Sequence, residues 1–209
     1  MARIGFIGAG HVGGALARHF AAAGHEVAVS NSRGPETLAD LVAELGAGAR
    51  AVTPAEAAAF GDVVVVSVPM HAYREVPTQG LEGKPVIDTN NYYPQRDGQI
   101  AVLDDDSKTS SELLAAHLGT AHVVKAFNQI ASANLASEGK PAGTPERTAI
   151  PIAGDDAGAK ASVAALIDEI GFDTVDIGVL ADSRIFQPGA PLYVHVTADE
   201  AQAIIAAHN

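Results

Sequence analysis

Gly8-Ala9-Gly10-His11-Val12-Gly13 places three glycines at the spacing G-x-G-x-x-G. That spacing suits an anion. The first glycine permits a tight turn, the second lets a pyrophosphate approach bare backbone, and the third lets a helix lie close to a strand. Free N–H groups at the start of that helix, at His11 and Val12, would meet the phosphates. Alone the motif is common in loops; it gains meaning only between a strand and a helix. About twenty residues further on, where an NAD site carries a carboxylate for the ribose hydroxyls, stand Ser30-Asn31-Ser32-Arg33. A carboxylate would repel a 2′-phosphate, whereas amide, hydroxyl and guanidinium groups bond it. Asn31, Ser32 and Arg33 therefore predict NADP(H). The competing role for Arg33 is a solvated loop arginine, or one stacked on adenine in an NAD site.

Further candidates follow other apolar runs. Val68-Pro69-Met70-His71 comes after the four valines Val63 to Val66, where the nicotinamide half of a dinucleotide crosses a sheet. Val68, Pro69 and Met70 are expected to line it, and His71 reads as a partly exposed loop histidine, with a functional role as the alternative. Asn90 lies in Asp88-Thr89-Asn90-Asn91-Tyr92-Tyr93-Pro94. It either bonds a substrate or satisfies its own turn. Asn128 and Gln129 follow Val123-Val124-Lys125-Ala126-Phe127, and an amide both donates and accepts. Asn90, Asn128 and Gln129 are thus the candidate substrate-binding residues, while Lys125 is expected to pair with a carboxylate, with a reach to the cofactor as the alternative. Asp104-Asp105-Asp106 reads as a solvated acidic turn. No histidines stand at zinc spacing, so no metal site is expected. No G-x-S-x-G elbow, P-loop lysine or cysteine occurs, which argues against serine-hydrolase, kinase and thiolate chemistry. No side chain is singled out as a catalytic acid or base.

The elements that must position these residues are legible as alternating runs. Strands are predicted over 3–7, 26–29, 50–52, 62–68, 85–88, 122–127, 147–153 and 174–177. Between them, helical spacing over His11 to Ala23 ends at Gly24. Gly34-Pro35-Glu36 opens a helix whose buried face would be Leu38, Leu41, Val42 and Leu45. Thr53-Pro54-Ala55-Glu56, Thr109 to Glu112 and Thr197 to Glu200 have the form of capping boxes, and a helix is predicted from about Asp156 to Ile170. Asn90–Gly98 and Ser137–Thr144 read as loops. Such alternation predicts an α/β, Rossmann-type doubly wound, mostly parallel sheet. Residues 1–145 would form the NADP-binding region. Residues 146–209 would add a strand-helix-strand and tail as a small C-terminal extension packed on the same domain.

Composition narrows the partners. The 209 residues are 47% hydrophobic and carry a net charge of −12. This permits a sizeable core and argues against phosphate-tracking nucleic-acid binding. No run approaches the roughly 18 apolar residues of a membrane span, and a first strand from Arg3 leaves no room for a signal peptide. A cytoplasmic protein is expected, and its small acidic chain is expected to form a homodimer around a small-molecule acceptor.

The sequence resembles the coenzyme F420-dependent NADP oxidoreductases and their relatives. The likeness rests on Ile4 to Gly14, Asn31-Ser32-Arg33, Val63 to Met70, Val123 to Asn128, and Asp176-Ile177-Gly178 with Ser183-Arg184. It implies that Ser32 and Arg33 hold the 2′-phosphate and that Val68 to Met70 line the nicotinamide. It further implies that Phe127 to Ala131 face the ring of a hydride partner, the deazaflavin F420 as co-substrate. Archaeal members carry His where Asn128 stands and have a different carboxyl-terminal segment from Arg184 to Tyr193. These departures keep other acceptors open for an NADPH-dependent reductase: a flavin, a ferric chelate, an imine or a small carbonyl compound. A non-catalytic NADP(H)-binding redox sensor is a third possibility.

Overall fold

The computed structural model describes residues 1–208. Its eight-stranded sheet runs in the order β3-β2-β1-β4-β5-β6-β7-β8. The strands are β1 (Arg3–Ile7), β2 (Glu26–Ser30), β3 (Ala49–Ala51), β4 (Val63–Val66), β5 (Val86–Asp88), β6 (Val123–Lys125), β7 (Ala149–Gly154) and β8 (Asp173–Gly178). β1 through β6 are mutually parallel, so all their carboxyl ends reach one edge. The order reverses beside β1, between β2 and β4, and that is the place where open α/β sheets bind ligands.

Period-two alternation buries both faces of the central strand. Val63 and Val65 join the core beneath α1 (His11–Ala22), while Val64 and Val66 join the core beneath α3 (Pro54–Phe60) and α6 (Ser110–Leu118). Burying a valine contributes roughly 1.5–3 kcal/mol, so this strand anchors the loop that follows it. Thr53, Thr109 and Thr197 all act as the expected caps. Thr109 N–H donates to Glu112 at 2.7 Å, and Glu112 N–H returns a bond to the Thr109 hydroxyl at 3.2 Å.

β7 departs from the parallel run and pairs antiparallel with β6. A parallel strand needs a crossover that carries the chain back along the sheet. Between β6 and β7 the only helix is the short α7 (Ser132–Ser137), packed on α1. It leaves the chain at the ligand edge, so β7 must run the other way. α8 (Ala157–Glu169) then returns the chain to make β8 parallel to β7. The terminal helix α9 (Ala198–His208) covers β7 and β8 through Ala201.

Two expected elements take different forms. The segment after Gly34 is a 3-10 turn, Pro35–Leu38, and then the short α2 (Ala39–Leu45). Leu38 is buried, but Leu41, Val42 and Leu45 are only half-buried. The helix sits beside the edge strand β3, where less surface is available to cover it. The Asn90–Gly98 loop contains one helical turn, α4 (Pro94–Asp97). Proline at its first position and the Asp97 carboxylate, which accepts from Tyr93 N–H at 2.9 Å, hold it. A similar turn, α5 (Ala101–Asp104), and 3-10 turns at Met70–Glu75 and Leu180–Phe186 complete the connections. Such short pieces leave no periodic signature. No helix among the described residues is long and apolar enough to cross a membrane.

Candidate dinucleotide and acceptor site

β1 delivers Gly8 to the sheet edge with φ +101°, in the left-handed region that glycine tolerates. A side chain at Gly8 would collide with the Ser67 carbonyl, and one at Gly13 with the Gly8 carbonyl. Gly10 differs: the space its Cβ would occupy is open. Gly10 is also the N-cap of α1 and makes no side-chain cap bond, so the first N–H groups of the helix are available to an anion. The turn, the close packing and the bare approach fall to Gly8, Gly13 and Gly10 respectively. This cradle fits a dinucleotide pyrophosphate.

A cleft of about 390 Å³ opens over that cradle. Asn31, Ser32 and Arg33 close one end, and Ser67, Val68 and Pro69 form a wall. Asn31 sets this end: its Nδ2 donates to Thr37 Oγ1 at 2.8 Å, and its Oδ1 accepts from Arg33 N–H at 2.9 Å. The Ser32 and Arg33 side chains are exposed, so hydroxyl and guanidinium stand free beside the end of β2. Val12 lies half-buried against the core, and His11 opens onto a neighbouring groove shared with Arg33. Met70 is fully buried. The 3-10 turn directs Met70 into the core and presents His71 to the cleft.

Beyond β5 the edge is closed by a buried polar network. Lys125 Nζ and Asp88 Oδ2 pair at 3.3 Å, both side chains wholly buried. Lys125 also donates to Ser110 Oγ at 3.2 Å and to the Asn90 carbonyl, while Ser111 Oγ donates to Asp88 at 2.6 Å. Burial pushes the Lys125 ammonium down from its ordinary range, and the Asp88 carboxylate opposes that shift. The expected pairing of Lys125 is thus present. Asn90 links this network to the cleft, because its Oδ1 accepts from Val68 N–H at 2.8 Å. It fixes the Val68-Pro69 wall, and its buried Nδ2 has no partner among the described residues.

Asn128 and Gln129 are placed by an unusual backbone. Phe127 has φ +62°, a conformation that costs a bulky residue roughly 1–3 kcal/mol. Asn128 Nδ2 donates to the Phe186 carbonyl at 2.7 Å and to Asn91 Oδ1 at 3.2 Å, and Gln129 Nε2 donates to the Ala149 carbonyl at 3.1 Å. Both amides are buried, Asn128 against the 3-10 turn 180–186 and Gln129 against the start of β7, and their oxygens lack partners among the described residues. The structure therefore groups Asn128 with Asn91, Tyr93 and Tyr193, apart from the glycine cradle. The two tyrosine hydroxyls lie 2.7 Å apart, and burial followed by the Tyr93 hydroxyl pushes the Tyr193 phenol up.

One pair escaped the sequence. His71 Nδ1 lies 3.1 Å from Asp97 Oδ1. Asp97 is held by Arg96 through Nε at 2.9 Å and Nη2 at 2.8 Å. Burial raises the Asp97 carboxyl, but Arg96, the Tyr93 amide and His71 outweigh it and bring it down to about 2. The partners stand 26 residues apart on separate loops, so no spacing signals them. No His, Asp or Glu cluster among the described residues could hold a metal.

The sequence pattern of the family described as NADP oxidoreductase, coenzyme F420-dependent, matches residues 3–92. A candidate F420-dependent NADP-reductase from Arthrobacter sp. FB24 superposes with a TM-score of 0.74 and 26% identity, over 88% of each chain. Over its N-terminal residues 3–92 the chain thus carries the sequence pattern of the F420-dependent NADP oxidoreductases. A hypothetical protein from Sinorhizobium meliloti is more similar, with 33% identity and a TM-score of 0.82 over 95% of this chain and 97% of that one. The metalloreductase STEAP3 of Rattus norvegicus is 29% identical over 184 residues, 87% of this chain. The chain spans about a third, 35%, of that relative's length. Together these similarities point to an NADP-dependent oxidoreductase.

Proposed function

We propose that this oxidoreductase passes hydride between NADPH and a small planar acceptor, the deazaflavin F420. One observation carries the reading: the open cradle over Gly10 leads to an exposed Ser32-Arg33 pair with no carboxylate at the end of β2. Bound there, NADPH supplies a hydride from its dihydronicotinamide ring. Gly10 and the first turn of α1 hold the pyrophosphate, and Ser32 and Arg33 take the 2′-phosphate. The Val68-Pro69 wall, fixed by Asn90, keeps the nicotinamide half in place. Asn90, Asn128 and Gln129 brace the loops of the acceptor side from within, so positioning carries much of the rate.

A second acceptor class, a ferric chelate or flavin, is favoured by the likeness to a metalloreductase. The family name supports F420 instead. A small imine or carbonyl compound would use the same cleft. We also propose a homodimer of cytoplasmic location, the second copy covering an acceptor space that Asn128 and Gln129, being buried, do not enclose.

The test is NADPH oxidation with F420, with FMN, with ferric citrate and with no acceptor. Rapid loss with F420 alone supports the deazaflavin. Loss with FMN or ferric citrate alone transfers the function to the second class. Binding without turnover under all conditions refutes hydride transfer to these acceptors and leaves an imine or carbonyl reductase or a redox sensor. Light scattering of the purified chain decides the dimer.

A further inference from the structure

Hydride transfer leaves an account of protons to close. A deazaflavin, flavin, imine or carbonyl that gains hydride also gains a proton on nitrogen or oxygen. Among the ionisable groups lining the cleft, His71 is the one oriented by a buried carboxylate. Its side chain is half-exposed, whereas Asp97 is wholly buried. Asp97 Oδ1 receives Nδ1–H at 3.1 Å and the His71 backbone N–H at 3.4 Å. That bond fixes one tautomer. Nε2 has no protein partner among the described residues, and the ring lines the cleft. Arg96 braces Asp97 from the other side, so the carboxylate stays ionised when the imidazole changes charge.

We propose that His71 is the proton donor and acceptor of the reaction, with Asp97 as its positioning residue. It follows that the acceptor belongs to the class that takes up hydride and proton together. This rests on the hydride-transfer function above and deepens it. The dihydronicotinamide C–H bond breaks with both electrons, and a new bond to that hydrogen forms on the acceptor. The imidazolium Nε2–H bond breaks, and an N–H or O–H bond forms on the acceptor's heteroatom. NADP⁺, the reduced acceptor and neutral imidazole result, and solvent reprotonates the ring. In the reverse direction neutral His71 takes the proton.

The other charges around the ring are accounted for. Arg74 and Glu75 share its turn, and Arg96 and Asp97 face it from α4. His117 of α6 packs edge-on to Tyr73 and bonds the Val76 carbonyl at 2.9 Å. Arg33 lines the far end of the cleft. None but Asp97 bonds the imidazole.

The test compares the wild type with His71→Gln and Asp97→Asn. NADPH affinity is read from its fluorescence on binding, turnover with F420 and with FMN is followed across the neutral range, and the His71 ring is observed by nitrogen NMR. General acid–base catalysis contributes roughly 10²–10⁴-fold. His71→Gln is expected to lower the rate at saturating NADPH by about a hundredfold, with affinity unchanged. The wild-type rate of acceptor reduction should fall as pH rises through the imidazolium's ionisation, and that dependence should vanish in His71→Gln. Asp97→Asn should lose the fixed Nδ1–H tautomer. A His71→Gln enzyme that loses affinity while keeping its saturated rate and pH profile would make His71 an anion contact and overturn the proposal. An unchanged enzyme would make it a bystander and overturn it equally. Should neither probe acceptor turn over, the function above fails for them, and the ring decides. An Nδ1–H tautomer whose Nε2 signal moves on adding NADP⁺ supports the proposal; the opposite tautomer, or no response, refutes it.

Discussion

The two halves of the ligand edge are built by opposite means. Around β1 and β2 the site consists of gaps and free backbone: a turn that needs Gly8, open space at Gly10 and exposed Ser32 and Arg33. Around β5 and β6 the same edge is filled with side chains, where Lys125, Asp88 and Asn90 are buried and bonded to one another and the buried Asn128 bonds Asn91. The contrast teaches that the anion half is a cavity left by small residues, whereas the other half is a scaffold that fixes loops. Asn90 joins them, since one of its oxygens belongs to the Lys125 network and the other holds Val68.

Breaking the scaffold should cost most. Lys125→Ala strands the Asp88 carboxylate in the core, and loss of one partner of a buried pair costs about 3–5 kcal/mol. Urea denaturation should show that loss, and the double variant Lys125→Met/Asp88→Asn should recover much of it. An equal loss in both variants would mean that packing around Lys125, rather than charge pairing, stabilises this edge.

Breaking the anion half should leave stability intact and strike binding. Arg33→Ala removes a charge-assisted contact worth roughly 1.5–3 kcal/mol, so NADPH affinity should drop at least tenfold while NADH affinity barely moves. Calorimetric titration of both cofactors checks this, and equal losses would remove the 2′-phosphate from Arg33.

The hinge between the halves has a pH signature. The Asp97 carboxyl lies at about 2 in the folded chain against 3.8 for a free aspartate. A depressed carboxyl contributes stability above its unfolded value and loses it as pH falls through its folded one. About 2 kcal/mol should therefore disappear between pH 4 and pH 2, and Asp97→Asn should flatten that limb in acid unfolding curves. The smallest effect is expected from Asn90→Ala. It forfeits the bond to Val68 N–H, about 1 kcal/mol, and should raise the KM for NADPH a fewfold, as steady-state kinetics would show.

What could be read from the residues was mostly local. The G-x-G-x-x-G turn, the valine run of β4 and the threonine caps announce themselves within a few positions, because backbone sterics and short-range hydrogen bonds act there. Where the local rule needed a neighbour, it failed in detail. Leu41, Val42 and Leu45 have helical spacing but only half a surface to pack on, at the edge strand β3. Asn128 looked free at the end of β6, yet Phe186, 58 residues away in sequence, accepts its amide hydrogen.

The sequence by itself therefore determined the dinucleotide cradle, the alternation of strands and helices, and the neutral-then-cationic end of β2. Those properties depend on residue type at short spacing. Tertiary structure alone decided that β7 turns antiparallel, that Lys125 meets Asp88, that Asn128 is covered, and that His71 meets Asp97. Each of these joins segments whose separation along the chain carries no energetic signal until the sheet brings their loops to one edge.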